Sequence, residues 1–182
     1  TPLFIILLFS DFDLAKISAL FVFIIAAITD AYDGHLARKY DQITAEGKFL
    51  DPLADKILVT STFISFAVIE IIDFWMVGLI IFRDFFITGL RLVMSSSGFE
   101  FVTSKLSKYK TAFQLTIIIL TLIFINMEGL DTKIFLPTIK IIKKYEIIYI
   151  LTGFTAIFTA YTGILYIYTN RILIQKYLKG NS

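Results

Sequence analysis

Four aspartates in the first third of the chain are spaced for joint action. Asp30 and Asp33 stand three residues apart and Asp51 and Asp55 four apart, and both spacings put a pair on one side of a helix. Gly34 follows Asp33 directly and Gly47 lies one turn before Asp51, so backbone without a side chain adjoins both acidic faces and lets a bulky group approach. The flanking sequence is apolar, and a carboxylate at the centre of a membrane helix costs about 2.5–3.5 kcal/mol. Four of them unpaired approach ~10 kcal/mol before mutual repulsion is counted. Such a cluster needs cations. With Cys 0 and His 1, thiolate and multi-histidine sites are excluded, and the remaining oxygen donors suit Mg²⁺ first and Mn²⁺ or Ca²⁺ next. Two such ions ~3.5–4 Å apart clamp both sides of a phosphoryl displacement. Phosphoryl chemistry is the reading these residues suggest.

A second group of charges lies downstream. Arg83 and Arg91 are eight residues apart, on a broad common face but ~12 Å apart along a helix axis, so one anion does not easily touch both. Lys105 and Lys108 follow at i, i+3. An anionic acceptor, such as an alcohol phosphate, is expected against Arg91, Lys105 and Lys108, with Arg83 deeper. Read alone, Lys105, Lys108 and Lys110 are topology determinants or headgroup contacts. Asp84 is expected to pair with Arg91 or Lys56. His35 is read as an ordinary polar helix residue.

The elements that carry these groups must be membrane helices. Of 182 residues, 57% are hydrophobic and 18% charged, with mean hydropathy +0.81, against roughly 25% charged in soluble domains. That balance argues against a soluble domain, and the even charge, Lys+Arg 17 to Asp+Glu 15, gives no sign of nucleic-acid binding. The apolar runs are continuous, which disfavours the alternation of a membrane barrel. Helices are expected near 14–39, 47–72, 74–96, 105–127 and 146–170, after the tail of a first helix at 1–9 whose beginning lies upstream. This gives an all-α integral membrane protein with six transmembrane helices, the first truncated at its N-terminus, in a single domain over 1–182. Pro52 falls early in the third of these helices, where a missing donor costs least.

Basic residues orient the bundle. If 1–9 runs outward, nine Lys and Arg fall on the cytoplasmic side, Arg38, Lys39 and Lys48 among them, against five outside. The site then opens to the cytoplasm. Lys140, Lys143 and Lys144 are spaced as one face of a short helix lying on the outer surface, and a solvated loop serves equally well. Trp75, Tyr145, Tyr149, Tyr166 and Tyr168 fall near helix ends, as interfacial anchors do.

The ordered set D-x2-D-G-x2-A-R-x8-G-x3-D-x3-D occupies Asp30, Asp33, Gly34, Ala37, Arg38, Gly47, Asp51 and Asp55. At ~7% usage for each position a chance match in this chain is on the order of one in ten million. The set resembles the signature of the CDP-alcohol phosphatidyltransferase family. That resemblance implies that an alcohol hydroxyl attacks the phosphatidyl-side phosphorus of a CDP-linked lipid and that CMP leaves. It implies two bound divalent ions, Mg²⁺ or Mn²⁺, held by Asp30, Asp33 and Asp51. Asp55 becomes the general base, with a share in metal ligation, and Gly34, Ala37, Arg38 and Gly47 line the CDP-lipid site.

GKFLDPLADK, FRDFFITGLRLV and SKLSKYKT are similar to the phosphatidylglycerophosphate synthase branch. This implies CDP-diacylglycerol as donor, sn-glycerol 3-phosphate as acceptor and an acceptor-phosphate site at Arg83, Arg91, Lys105 and Lys108. It also implies a homodimer working among membrane lipids in the cytoplasmic membrane. Sister enzymes that use inositol phosphate, serine or phosphatidylglycerol are the alternative within the class. A cation transporter is the alternative outside it, although a cation path gains nothing from Arg38 amid its acids. Family members carry polar and basic residues in the first helix that help frame the nucleotide, and these are expected upstream of Thr1.

Overall fold

The computed structural model describes residues 1–12, 14–39, 45–96, 105–130 and 134–179, and their side chains except at 30–31, 33–39, 45–55, 96 and 105. Among the described residues there are eight helices and no strand: α1 (Pro2–Leu8), α2 (Ala15–Lys39), α3 (Ala45–Val68), α4 (Phe74–Ser96), α5 (Lys105–Gly129), α6 (Leu136–Lys144), α7 (Ile147–Thr169) and α8 (Arg171–Leu178). The 23 to 25 residues of α2 to α5 and α7 give lengths of about 35 Å, enough to cross ~30 Å of hydrocarbon. Two spans, Leu106–Gly129 and Ile147–Thr169, are also apolar enough throughout to do so. Ala15–Thr29 of α2 and Lys56–Val68 of α3 are shorter apolar stretches among the described residues. The protein is a helical membrane protein.

The face that α7 buries shows which solvent the bundle is built for. Thr152, Gly153, Thr155, Ala156, Thr159, Thr162 and Gly163 point inward, while Ile150, Phe154, Ile157, Tyr161, Ile164 and Tyr168 are exposed. Small residues inside and large apolar ones outside reverse the soluble pattern and match helices that pack within lipid. Most inward hydroxyls are satisfied within the helix: Thr152 donates to the Ile148 carbonyl, Thr155 to that of Leu151 and Thr162 to that of Thr159, each at 2.8 Å, whereas the Thr159 hydroxyl is buried without a partner among the described residues. This face packs on α4 and α5, and α3 packs on α1, α4 and α5, with α2 against α1 and α5.

Cross-contacts fix the direction of each helix. Lys16 and Asn126 meet at the start of α2 and the end of α5, where Asn126 Nδ2 donates to the Lys16 carbonyl at 3.1 Å. Tyr149 Oη donates to Asp73 at 2.6 Å where α4 and α7 begin, and Arg91 lies over Tyr166 where both helices end. The C-terminal ends of α2, α4 and α7 and the N-terminal ends of α3 and α5 therefore share one end of the bundle.

Several boundaries differ from the sequence expectation. The third long helix stops at Val68 instead of residue 72, because Glu70 takes a left-handed φ of 60°. Ile71 N–H then donates to the Phe66 carbonyl and Glu70 N–H to that of Ala67, a Schellman termination built without glycine. The same helix begins at Ala45, so Pro52 stands two turns inside it, and the Lys48 carbonyl loses its usual helical donor. The 131–146 segment forms the short helix α6. The last long helix ends at Thr169, near the expected 170, and at Asn170 the backbone N–H and side-chain Nδ2 both donate to the Tyr166 carbonyl; the chain then restarts as α8, which the sequence analysis did not expect. Tyr145 and Tyr168 are exposed at helix ends as anchors are, whereas Tyr166 is a core residue, 2% exposed.

Candidate active site

Asp30, Asp33, Gly34, Ala37 and Arg38 lie on the last part of α2, and Gly47, Asp51 and Asp55 on the first part of α3; their side chains lie outside the described residues. The helix register still relates them. Asp33 is six residues from the end of α2 and Asp51 six from the start of α3, each about 9 Å along its axis. Asp30 and Asp55 lie nine and ten residues away, about 14 and 15 Å. The two acidic pairs therefore sit at matched distances from the helix ends that residues 40–44 join. Carboxylates alone, without thiolate or imidazole partners, are the donor set of a hard divalent cation, so these residues fit the metal that the motif implies.

Between α4 and α5 lies a buried charge cluster that the sequence did not reveal as one. Lys110 Nζ of α5 donates to both carboxylate oxygens of Asp84 on α4, to Oδ2 at 2.6 Å. Gln114 Nε2 donates to Oδ2 at 3.3 Å and Arg83 Nη1 to Oδ1 at 3.2 Å. The side chains of Arg83, Asp84 and Lys110 are 10%, 7% and 3% exposed. Lys56, the residue after Asp55, acts on Asp84 through its charge. Two buried cations, Arg83 and Lys110, thus face one carboxylate. Nε and Nη2 of Arg83 are buried without a hydrogen-bond partner among the described residues, and an unmet buried donor is costly until an acceptor arrives.

The expected acceptor residues divide. Arg83 belongs to this cluster. Arg91 is exposed and its guanidinium lies 5.9 Å from the centre of the Tyr166 ring. Lys108 is exposed near the start of α5, and Lys105 is its first residue, with a side chain outside the described residues. All four stand on α4 or α5, whose ends meet the acidic helices at one end of the bundle. Asp84 does not pair with Arg91; its main partner is Lys110, which the sequence analysis had placed among headgroup contacts. Only one signal pointed to Lys110: it stands five residues inside α5, too deep for a long side chain to lie freely in the headgroup layer.

Arg83 is held by a close approach. A Cβ added to Gly163 of α7 would come within 2.7 Å of Arg83 Cγ, so the absence of a side chain there is what lets the arginine stem cross α7. On the lipid side of this crossing, Leu79, Phe82, Phe86, Ile164 and Ile167 line an apolar groove of about 300 Å³.

Comparison with known proteins agrees with this geometry. Residues 1–162 match the model of the CDP-alcohol phosphatidyltransferase family, which leaves α8 outside the matched region. A Bacillus subtilis protein named CDP-diacylglycerol–glycerol-3-phosphate 3-phosphatidyltransferase is 40% identical over 126 residues, covering 63% of this chain and 65% of that protein. A Rickettsia typhi protein of the same name is 32% identical over 161 residues, covering 88% and 86%. A Mycobacterium tuberculosis protein named probable phosphatidylglycerophosphate synthase is 37% identical over 100 residues, covering 53% and 48%. With the family's model matched over residues 1–162 of this chain, and its acidic signature on the successive helices α2 and α3, this chain belongs to the CDP-alcohol phosphatidyltransferases.

Proposed function

We propose that the enzyme transfers the phosphatidyl group of CDP-diacylglycerol to sn-glycerol 3-phosphate, giving phosphatidylglycerol phosphate and CMP. The observation that carries the acceptor assignment is the buried cluster in which Arg83 and Lys110 face Asp84, with Nε and Nη2 of Arg83 unpaired among the described residues. A phosphate monoester brings about −1.5 to −2 charge at pH 7 and supplies acceptor oxygens to the Arg83 guanidinium. Serine and phosphatidylglycerol bring no such group. The names of the relatives support the same acceptor.

In this reading Asp30, Asp33, Asp51 and Asp55 hold two Mg²⁺ ions, with Mn²⁺ as a substitute. When bound, the metal offsets the negative charge of the donor pyrophosphate. Gly34, Ala37, Arg38 and Gly47 frame the CDP moiety, the glycines by leaving room for it and Arg38 by its charge. Arg83 and Lys110 hold the acceptor phosphate, with Arg91, Lys105 and Lys108 drawing it in from the aqueous side. Asp55 accepts the proton of the attacking hydroxyl. The new O–P bond forms at the phosphatidyl phosphorus, the P–O bond to CMP breaks, and no nucleophilic side chain takes part.

α1, α2, α3, α4, α5 and α7 are read as six spans of one domain, with α6 at the outer surface. The acidic end faces the cytoplasm, following the basic residues. The family resemblance supports a homodimer.

The deciding experiment offers purified enzyme glycerol 3-phosphate, inositol phosphate, serine and phosphatidylglycerol in turn, with and without chelator, and follows CMP. Release with glycerol 3-phosphate alone, lost on chelation, is expected. Release with inositol phosphate in its place overturns the acceptor, and release that survives chelation overturns the metal.

A further inference from the structure

The helix α8 has a composition that its neighbours do not explain. Around its axis Arg171, Gln175, Lys179 and Lys176 occupy one arc, interrupted only by the exposed Ile172, and Leu173, Tyr177, Ile174 and Leu178 the opposite one, by the 100° step of an α-helix. No residue of α8 is buried. Leu173, Ile174 and Tyr177 are half-covered, while Leu178 is 75% exposed. The chain has no Asp or Glu after Glu146, and among the described residues no ion pair involves Arg171, Lys176 or Lys179. The helix is therefore amphipathic and purely basic, and it is set off from α7 by the break at Asn170. It sits at the end of the bundle where the acidic helices meet.

We propose that α8 lies in the headgroup layer of the leaflet that borders the active site and binds anionic phospholipid headgroups there. An extended α7 would carry Leu178 and Ile174 into water. The interruption at Asn170, with φ −99° and ψ 9°, separates α8 from the span, and in the proposed placement its apolar arc rests on the acyl boundary while the basic arc meets the headgroups, as interfacial helices do. Arg171 is already held near this level: its guanidinium lies 4.2 Å from the centre of the Tyr168 ring and Nη1 donates to the Tyr168 carbonyl at 3.2 Å. The partner is a lipid and not a soluble polyanion, because an apolar arc opposite the charges gains only from contact with acyl chains. The inference rests on the proposed function only for the orientation of the bundle. The donor, an anionic lipid itself, would be drawn to the same surface.

The chain has Cys 0, so Leu178→Cys carries one bimane fluorophore without further changes. Full-length protein is reconstituted in phosphatidylcholine bilayers containing equal mole fractions of doxyl-labelled phosphatidylglycerol or doxyl-labelled phosphatidylcholine. The anionic quencher is expected to be at least about twofold more effective, as attraction of basic residues to anionic lipid requires. In an Arg171→Gln, Lys176→Gln, Lys179→Gln variant the two should quench alike while total quenching persists. A fluorophore that neither lipid quenches, equal quenching in the unaltered helix, or a preference that survives removal of the charges would each overturn the inference. CMP release is measured on the same samples. Normal release with equal quenching overturns the lipid surface alone, and lost release with preserved preference overturns the proposed function alone.

Discussion

Lys110 of α5 donates to both carboxylate oxygens of Asp84 on α4, a pairing across 26 residues of sequence with both side chains buried. The pair ties the two helices together at membrane depth. Breaking a buried pair from one side leaves an uncompensated charge, typically at a cost of about 3–5 kcal/mol. Lys110→Met should therefore lower thermal stability in detergent, but by less than that figure, because Arg83 still pairs with Asp84 at 3.2 Å. Adding Asp84→Asn should restore part of the loss, since an amide oxygen still accepts from Gln114. Additive losses in the double variant would mean that the pair is not coupled.

The crossing of Arg83 over Gly163 predicts a sharp contrast between two glycines of α7. Gly163→Ala puts a methyl group 2.7 Å from Arg83 Cγ, and relief by displacement of the guanidinium should cost about 1–3 kcal/mol. It should also raise the acceptor KM. A Cβ at Gly153 would meet only the flexible end of Met76, at 3.4 Å, so Gly153→Ala should be nearly silent. Melting temperature and acceptor KM for the two variants check this, and equal effects would remove the special role of position 163.

Arg91 rests against the Tyr166 ring. Arg91→Ala should raise the acceptor KM more than that of the lipid donor. Tyr166→Leu, which removes the ring but not the charge, should raise it by about 3- to 5-fold, in line with ~1 kcal/mol for a cation–π contact. Tyr166→Phe should keep most of the native value. An acceptor KM unmoved by Arg91→Ala would take Arg91 out of acceptor binding.

Asp55→Asn should abolish CMP release while binding of the CDP-lipid stays measurable by equilibrium titration. Near-normal turnover would exclude Asp55 as the proton acceptor.

The sequence by itself determined the helical membrane class and the family. The apolar runs were too continuous for any other architecture, and the eight motif positions are local in sequence, so their meaning did not depend on packing. It also set the spacing within each pair of aspartates, because a helix converts residue number directly into length. Tertiary structure decided which distant charges meet. Asp84 had several cations within sequence-level reach, and only the packing of α4 and α5 on the small-residue face of α7 selects Lys110 and buries Arg83 against Gly163. The end of α3 at Val68 was hidden for another reason: it depends on the left-handed backbone at Glu70, a residue whose type does not announce a turn. Periodicity reports which face is apolar, but the partner of a buried charge is fixed by which helices lie side by side.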